Sequence, residues 1–316
     1  MTGDEVNTVV VVGAGTMGPG MAATFARSGL DVRLTDAVPE ALERAKSTVE
    51  SIYAALVNGG FITEGDAASA RARLTFTPSL EEAVRGVDFV LEAIPERLDI
   101  KQSFFREVER LVKADTILAS NTSGIPVTTL GQAVERAGRL VGMHWSNPPH
   151  LIPIVEVIRG EHTDEAVVEA TKRVTERIGM IPVTVRKDIP GFVQNRILYA
   201  IMREALHLFE EGVASAEDID TITKWGIGYK LSVIGPLELL DVAGLDIYSS
   251  VANYLNAALS ATDRVSPVIA EKVQRGELGI KTRRGMFDYQ PEQIPALTQR
   301  RARRLLAVKK ALINTL

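Results

Sequence analysis

The sequence predicts an α/β fold: an N-terminal, mainly parallel sheet covered by helices, followed by a second domain that is all helical. Three observations carry this. From Asn7 to about Lys187, β-rich runs alternate with amphipathic stretches, as expected where each strand is joined to the next through a helix. After Asp188-Ile189-Pro190-Gly191 the strand period disappears and only helical patterns remain, with Pro190 and Gly191 as backbone punctuation. The length of 316 residues, with 46% hydrophobic and 24% charged, exceeds one ordinary domain. The expected domains are residues 1–187 and 188–316.

In chain order, the expected strands are Thr8–Val12, Val32–Thr35, Leu74–Thr77, Val87–Ala93, Thr116–Ser120, Leu140–His144, Ile154–Ile158 and Pro182–Arg186. Between the second and third, Leu42, Ala45, Val49, Ile52 and Leu56 recur at helical spacing over Glu40–Leu56. Beyond the boundary, Ile197, Ile201, Ala205 and Leu208 line one helix face, and a further helix starts at Glu217 with Ser215 as its cap. The segment Ile294–Thr315 interleaves Arg300, Arg301, Arg303, Arg304, Lys309 and Lys310 with Leu and Ala. A charge run of this kind reads as the solvated face of a terminal helix.

Composition removes several classes. With no cysteine, there is no disulfide scaffold, thiolate metal site or cysteine nucleophile. A net charge of -4 and an aromatic content of 5% give no basis for nucleic acid as a partner. Asp4 and Glu5 stand where a targeting segment would be basic, and the apolar run Val9–Val12 is far too short to span a bilayer. The expectation is a soluble cytoplasmic protein without membrane contact.

Gly13-Ala14-Gly15-Thr16-Met17-Gly18 follows the first strand directly and opens a helix that ends near Ser28-Gly29. In such a fingerprint the first glycine makes the tight turn, the second lets the backbone approach a pyrophosphate, and the third lets helix and strand pack closely. Asp36 ends the second strand where an acid takes the adenine ribose hydroxyls and repels a 2′-phosphate. Strand, fingerprint, helix, strand and acid in this order predict a Rossmann-type dinucleotide site for NAD rather than NADP. FAD shares the fingerprint, so the choice between NAD and FAD rests on the chemistry downstream.

Four polar residues stand out by position: Ser123, His144, Glu156 and Asn195. Ser123 and His144 fall at or just after strand ends, where open α/β sheets bind ligands. Glu156 interrupts an otherwise apolar strand, so its carboxylate needs a partner. A histidine paired with a carboxylate makes a general base for hydride transfer; the same two residues could equally be a satisfied core histidine and a structural ion pair. His144, His150, Glu156 and His162 recur every six residues, but over strand, proline-rich loop and strand, a spread that does not suit metal ligands. No metal is expected. Nor does a GxSxG elbow surround Ser123.

The motifs Gly-Ala-Gly-Thr-Met-Gly at 13–18, Glu-Ala-Ile-Pro-Glu-Arg-Leu-Asp-Ile-Lys at 92–101, Ser-Asn-Thr-Ser at 120–123, His-x-x-Asn-Pro at 144–148, Val-Glu-Val-Ile at 155–158 and Lys-Asp-x-Pro-Gly-Phe-x-x-Asn-Arg at 187–196 together resemble the L-3-hydroxyacyl-CoA dehydrogenase family. The resemblance extends over essentially the whole chain. It implies NAD as cofactor, His144 as acid/base, Glu156 as its orienting partner, and Ser123 and Asn195 as hydrogen-bonding groups near the substrate oxygen. It also implies that Glu96, Lys101 and Asn121 lie beside the cofactor, with Gly13, Gly15, Thr16, Met17, Gly18 and Asp36. A homodimer through the helical domain is implied as well.

Three segments depart from that pattern. Ser51–Asp66 contains no Lys or Arg, whereas family members commonly place lysines there for CoA phosphates. The stretch from His144 reads His-Trp-Ser-Asn-Pro-Pro-His, and the glycine–proline turn before Leu239 is lengthened over 226–236. These segments are similar to a subgroup acting on a pyridine aldehyde carboxylate. A small ring acid needs a cation and polar or aromatic walls, which Trp145, His150, Tyr229 and Lys230 offer; each of these could also simply pack a domain interface. The expected substrate is therefore a small non-CoA compound such as a pyridine aldehyde carboxylate, with L-3-hydroxyacyl-CoA as the alternative. Retention of Ser123, His144, Glu156 and Asn195 weighs against an idle, crystallin-like NADH-binding protein.

Overall fold

A computed structural model describes residues 2–313. The chain divides into two compact units, 1–193 and 194–316. In the first, eight strands form one sheet: β1 (Thr8–Val12), β2 (Asp31–Thr35), β3 (Leu74–Thr77), β4 (Phe89–Glu92), β5 (Ile117–Ser120), β6 (Leu140–Trp145), β7 (Ile154–Ile158) and β8 (Ile181–Val185). Their order is β3-β2-β1-β4-β5-β6-β7-β8. All neighbouring pairs are parallel except β6 and β7. The central strands are buried along nearly their whole length, which is why Thr-Val-Val-Val-Val reads as an unbroken apolar run rather than an alternation.

Seven helices cover this sheet: α1 (Gly18–Arg27), α2 (Pro39–Asn58), α3 (Glu64–Ala72), α4 (Leu80–Val84), α5 (Leu98–Leu111), α6 (Val127–Gly131) and α7 (Glu165–Arg177). In α1, Gly18, Gly20, Ala22, Ala23 and Ala26 are buried, small residues that let the helix lie close on the strands. Thr63 and Asp66 form a reciprocal cap at the start of α3. The strand order reverses between β1 and β4, and the crevice beyond the carboxyl ends of these strands is the expected ligand position in such sheets.

The linker differs from the sequence reading, which begins the second domain at Asp188. Residues 188–193 belong to the first unit. Asp188 Oδ2 accepts the Thr128 N–H at 2.7 Å, and Phe192 is fully buried in the core. Pro190 and Gly191 therefore lie in the turn that closes the first unit.

The second unit is helical: α8 (Gln194–Glu210), α9 (Ala216–Ile222), α10 (Tyr229–Leu231), α11 (Pro236–Ala243), α12 (Leu245–Ala258), α13 (Pro267–Gln274) and α14 (Ile294–Ile313). Ser215 accepts the Asp218 N–H as the cap of α9. One turn of π-helix over Thr223–Gly228 joins α9 to α10. Among the described residues, α8 to α13 contain none that is fully buried. The basic terminal segment is helical to Ile313; Asn314 and Thr315 lie outside the described residues.

Candidate active site

The fingerprint turn shows why each glycine is needed. Gly13 has φ +111°, and a Cβ there would stand 2.5 Å from the Ala93 carbonyl oxygen. A Cβ on Gly18 would lie 1.8 Å from the Gly13 oxygen, so this residue sets how closely α1 approaches the turn. Gly15 is different: a Cβ there would meet nothing within 4 Å. It faces a cleft of about 1240 Å³ whose walls include Gly13, Gly15, Thr16, Met17, Asp36, Glu96, Asn121 and Ser123. An open space over a bare backbone at a helix start fits a pyrophosphate. Asp36 is oriented by two backbone donors, Ala14 N–H at 2.7 Å and Val38 N–H at 2.8 Å.

Beneath the cleft lies a buried charged cluster. Lys101, only 1% exposed, pairs with fully buried Glu92 and, at 3.1 Å, with Glu96. Glu92 also accepts from Ile94 N–H at 2.8 Å and from the Ser120 hydroxyl. Burial pushes the Glu92 carboxyl up, against the opposing pull of Lys101 and of these donors. Burial also acts to raise Glu96, but the Thr122 hydroxyl, Lys101 and the Ser123 N–H together hold it below the usual carboxylate range. Glu96 thereby fastens the Thr122-Ser123-Gly124 loop after β5, with Ser123 N–H at 2.7 Å. Lys101 sits under the cleft rather than in its wall.

His144 and Glu156 face each other across the antiparallel β6–β7 pair. His144 Nδ1 lies 2.8 Å from Glu156 Oε2, and both side chains are buried. An ionised carboxylate can only accept, so Nδ1 carries the proton and Nε2 is left as the acceptor. Glu156 Oε1 is taken by the Val193 N–H at 2.9 Å. The strand next to the cleft is tied in by Asn121, whose Oδ1 accepts the Trp145 N–H at 2.9 Å.

The amino-terminal part of the chain, residues 8–189, matches the family model for the NAD-binding domain of 3-hydroxyacyl-CoA dehydrogenase, and residues 191–289 match the model for its C-terminal domain. The chain belongs to the 3-hydroxyacyl-CoA dehydrogenase family. Like its relatives, it is an NAD-dependent dehydrogenase. It is 48% identical to the 5-formyl-3-hydroxy-2-methylpyridine 4-carboxylate 5-dehydrogenase of Mesorhizobium japonicum, over 97% of this chain and 98% of the relative. A crystal structure of an enzyme of that name, described as an NAD+-dependent dismutase, superposes with a TM-score of 0.92 at 48% identity, covering 97% of this chain and 98% of the other. The (S)-3-hydroxybutyryl-CoA dehydrogenase structure from Ralstonia eutropha gives 0.75 at 38% identity, covering 90% and 100%.

Within this dehydrogenase, Trp145 is not where its place next to His144 suggests. Successive strand residues point to opposite faces, and its indole is buried in the core with ring centroids 5.6 Å from Phe25. It walls no cleft. His150 is half-buried on α1, since a Cβ on Gly20 would stand 3.2 Å from its Nδ1. In the second unit, Asn195 lies in the first turn of α8, and Tyr229 and Lys230 are exposed just past the π-helical turn. Sequence reasoning missed Glu92, Ser120 and Thr122. The signal for Glu92 was the one that revealed Glu156, an acid in an apolar strand. Among the described residues, no helix is long and apolar enough to cross a membrane.

Proposed function

We propose that this NAD-dependent dehydrogenase oxidises a small non-CoA aldehyde of the pyridine aldehyde carboxylate class, with His144 as acid/base and Glu156 as its orienting partner. The observation that carries the chemistry is the buried His144 Nδ1–Glu156 Oε2 contact of 2.8 Å at the end of β6. Bound NAD would supply the hydride acceptor. The chain has no cysteine, so the aldehyde cannot be held as a thiohemiacetal and reacts as its hydrate. His144 Nε2 takes a hydroxyl proton of the gem-diol as the carbon loses hydride, leaving the carboxylic acid. Ser123 hydrogen-bonds the substrate oxygen. Run in reverse on a second aldehyde, His144 returns the proton to the new alcohol. The sum is two aldehydes and one water giving one acid and one alcohol, as the word dismutase describes for the related enzyme.

The substrate class is supported by the higher identity and fuller coverage of the pyridine-aldehyde relative. The α2–α3 excursion supports it too. Lys46, Arg71 and Arg73 are each already ion-paired, with Glu43, with Glu50 and Glu64, and with Asp31, which leaves them poorly placed for CoA phosphates. His150, Asn195, Tyr229 and Lys230 are proposed substrate contacts, with Lys230 supplying the cation for the ring carboxylate. The second reading is a 3-hydroxyacyl-CoA substrate, favoured by the family match over both parts of the chain. Turnover of pyridine aldehydes with NAD, run beside acetoacetyl-CoA with NADH, tests the choice. Saturable binding of coenzyme A at micromolar concentration overturns the non-CoA reading. A cytoplasmic location accords with use of an intracellular dinucleotide. A homodimer formed through the helical second unit accords with the exposed apolar side chains of that unit.

A further inference from the structure

Phe192 has a backbone and a side chain that are each unusual, and both bear on His144. Its φ is +51°, and among the described residues only Arg283 is another non-glycine with positive φ. A bulky residue in the left-handed region is strained and persists only where its surroundings over-determine it. Glycine adopts this conformation without strain, so keeping a phenyl group here points to a use for the ring. The ring is fully buried in a cluster with Ile158 and Val185. Its centroid lies 5.8 Å from that of the His144 imidazole, with the planes at 54°.

The same turn fixes the other side of the pair. The Phe192 N–H donates to the Ile189 oxygen at 3.0 Å, Asp188 is held by Thr128 N–H at 2.7 Å, and the next amide, Val193 N–H, donates to Glu156 Oε1 at 2.9 Å. One left-handed residue therefore sends its ring against the imidazole and its successor's N–H to the imidazole's carboxylate. Glu156 holds the buried imidazole at Nδ1, and the Phe192 ring is the aromatic neighbour packed against its plane.

We propose that Phe192 is a positioning residue for His144, fixing the plane of the imidazole so that Nε2 keeps one direction. This rests on the reading of His144 as the base. In the full chain, Phe192→Leu keeps an apolar side chain of similar bulk and removes the ring, while Phe192→Gly relieves the backbone and also removes the ring. Both are expected to lose about tenfold or more in kcat, as small misplacements of a catalytic group do, with KM for NAD and NADH affinity unchanged.

The structural readout is the Nδ1 proton resonance of His144 in the 15N-labelled chain without substrate. It is assignable by its loss in His144→Gln among only four histidines, and it should broaden or shift in both Phe192 variants. Turnover within twofold of wild type together with an unchanged resonance, in either variant that folds, overturns the proposal. If His144→Gln retains turnover, the base assignment fails, and the resonance in the substrate-free Phe192 variants still decides whether the ring holds the imidazole. Should neither of these fold, Phe192→Met, which fills most of the same buried volume without a ring, carries the same two measurements.

Discussion

His144 and Glu156 illustrate what one residue can decide. Replacing His144 with Gln removes the acceptor nitrogen and is expected to lower kcat by about 10²–10⁴, the usual contribution of a positioned base, while NADH binding measured by fluorescence stays intact. Glu156→Gln keeps the shape but no longer enforces a proton on Nδ1. It should cost about 10² in kcat, at the low end of that range, because a neutral amide can also present its NH2 and favour the wrong tautomer. An unchanged kcat in Glu156→Gln would reduce the pair to a structural contact. Both residues were legible because a carboxylate inside Ile-Val-x-Val-Ile needs a partner, and the register supplies the one directly opposite. Val193 was not legible as a participant, since its contribution is a backbone N–H set by the turn before it. Trp145 was misread because adjacency in a strand means opposite faces, whereas Lys101 lies directly behind the cleft wall, paired with Glu92 and with the cleft-lining Glu96.

At the scale of elements, the glycine turn yields a graded series. Gly18→Ala places a methyl 1.8 Å from a backbone oxygen and should destabilise the fold, lowering the melting temperature. Gly15→Ala meets no protein atom, so its melting temperature should hold while KM for NAD rises by about tenfold or more through the lost pyrophosphate approach. If the two variants behave alike, the assignment of Gly15 to the cofactor is wrong. At the opposite end of β1, Asp88 is only 14% exposed, accepts Asn7 N–H, Thr8 N–H and the Thr8 hydroxyl, and pairs with Lys113. Burial alone would raise its carboxyl, but these donors hold it below its ordinary value. A folded-state value below the unfolded one stabilises above the ordinary carboxylate range and ceases to as pH falls through the folded value. In urea titrations, Asp88→Asn should therefore be less stable than wild type by about 1–3 kcal/mol at pH 7, the gap closing in strong acid. The strands themselves were legible as β-branched runs between turn residues. The antiparallel β6–β7 pair was not foreseen, although the short connection between His144 and Glu156 has no room for the crossover a parallel pair requires.

The whole molecule poses a question of surface. The first unit has a closed core, whereas the second leaves Trp225, Tyr229, Val233, Leu237 and Val242 between 70% and 78% exposed. Exposed apolar side chains on this scale in one unit suit an interaction surface, and the proposed occupant is a second copy of the chain. A dimer should sediment at twice the 34.3 kDa chain mass. The critical test is a double substitution, Val233→Asp with Leu237→Asp. On a monomer, two side chains each 78% exposed become acidic at almost no cost to stability, since exposed substitutions usually change it by less than about 0.5 kcal/mol. In a dimer they would bury two uncompensated charges per copy, so the mass should fall to that of one chain and the melting temperature should drop with it. A wild-type chain that sediments as a monomer at micromolar concentration contradicts the proposal directly. If the wild type is a dimer and the double variant remains one with unchanged stability, the second unit's exposed face lies outside the interface.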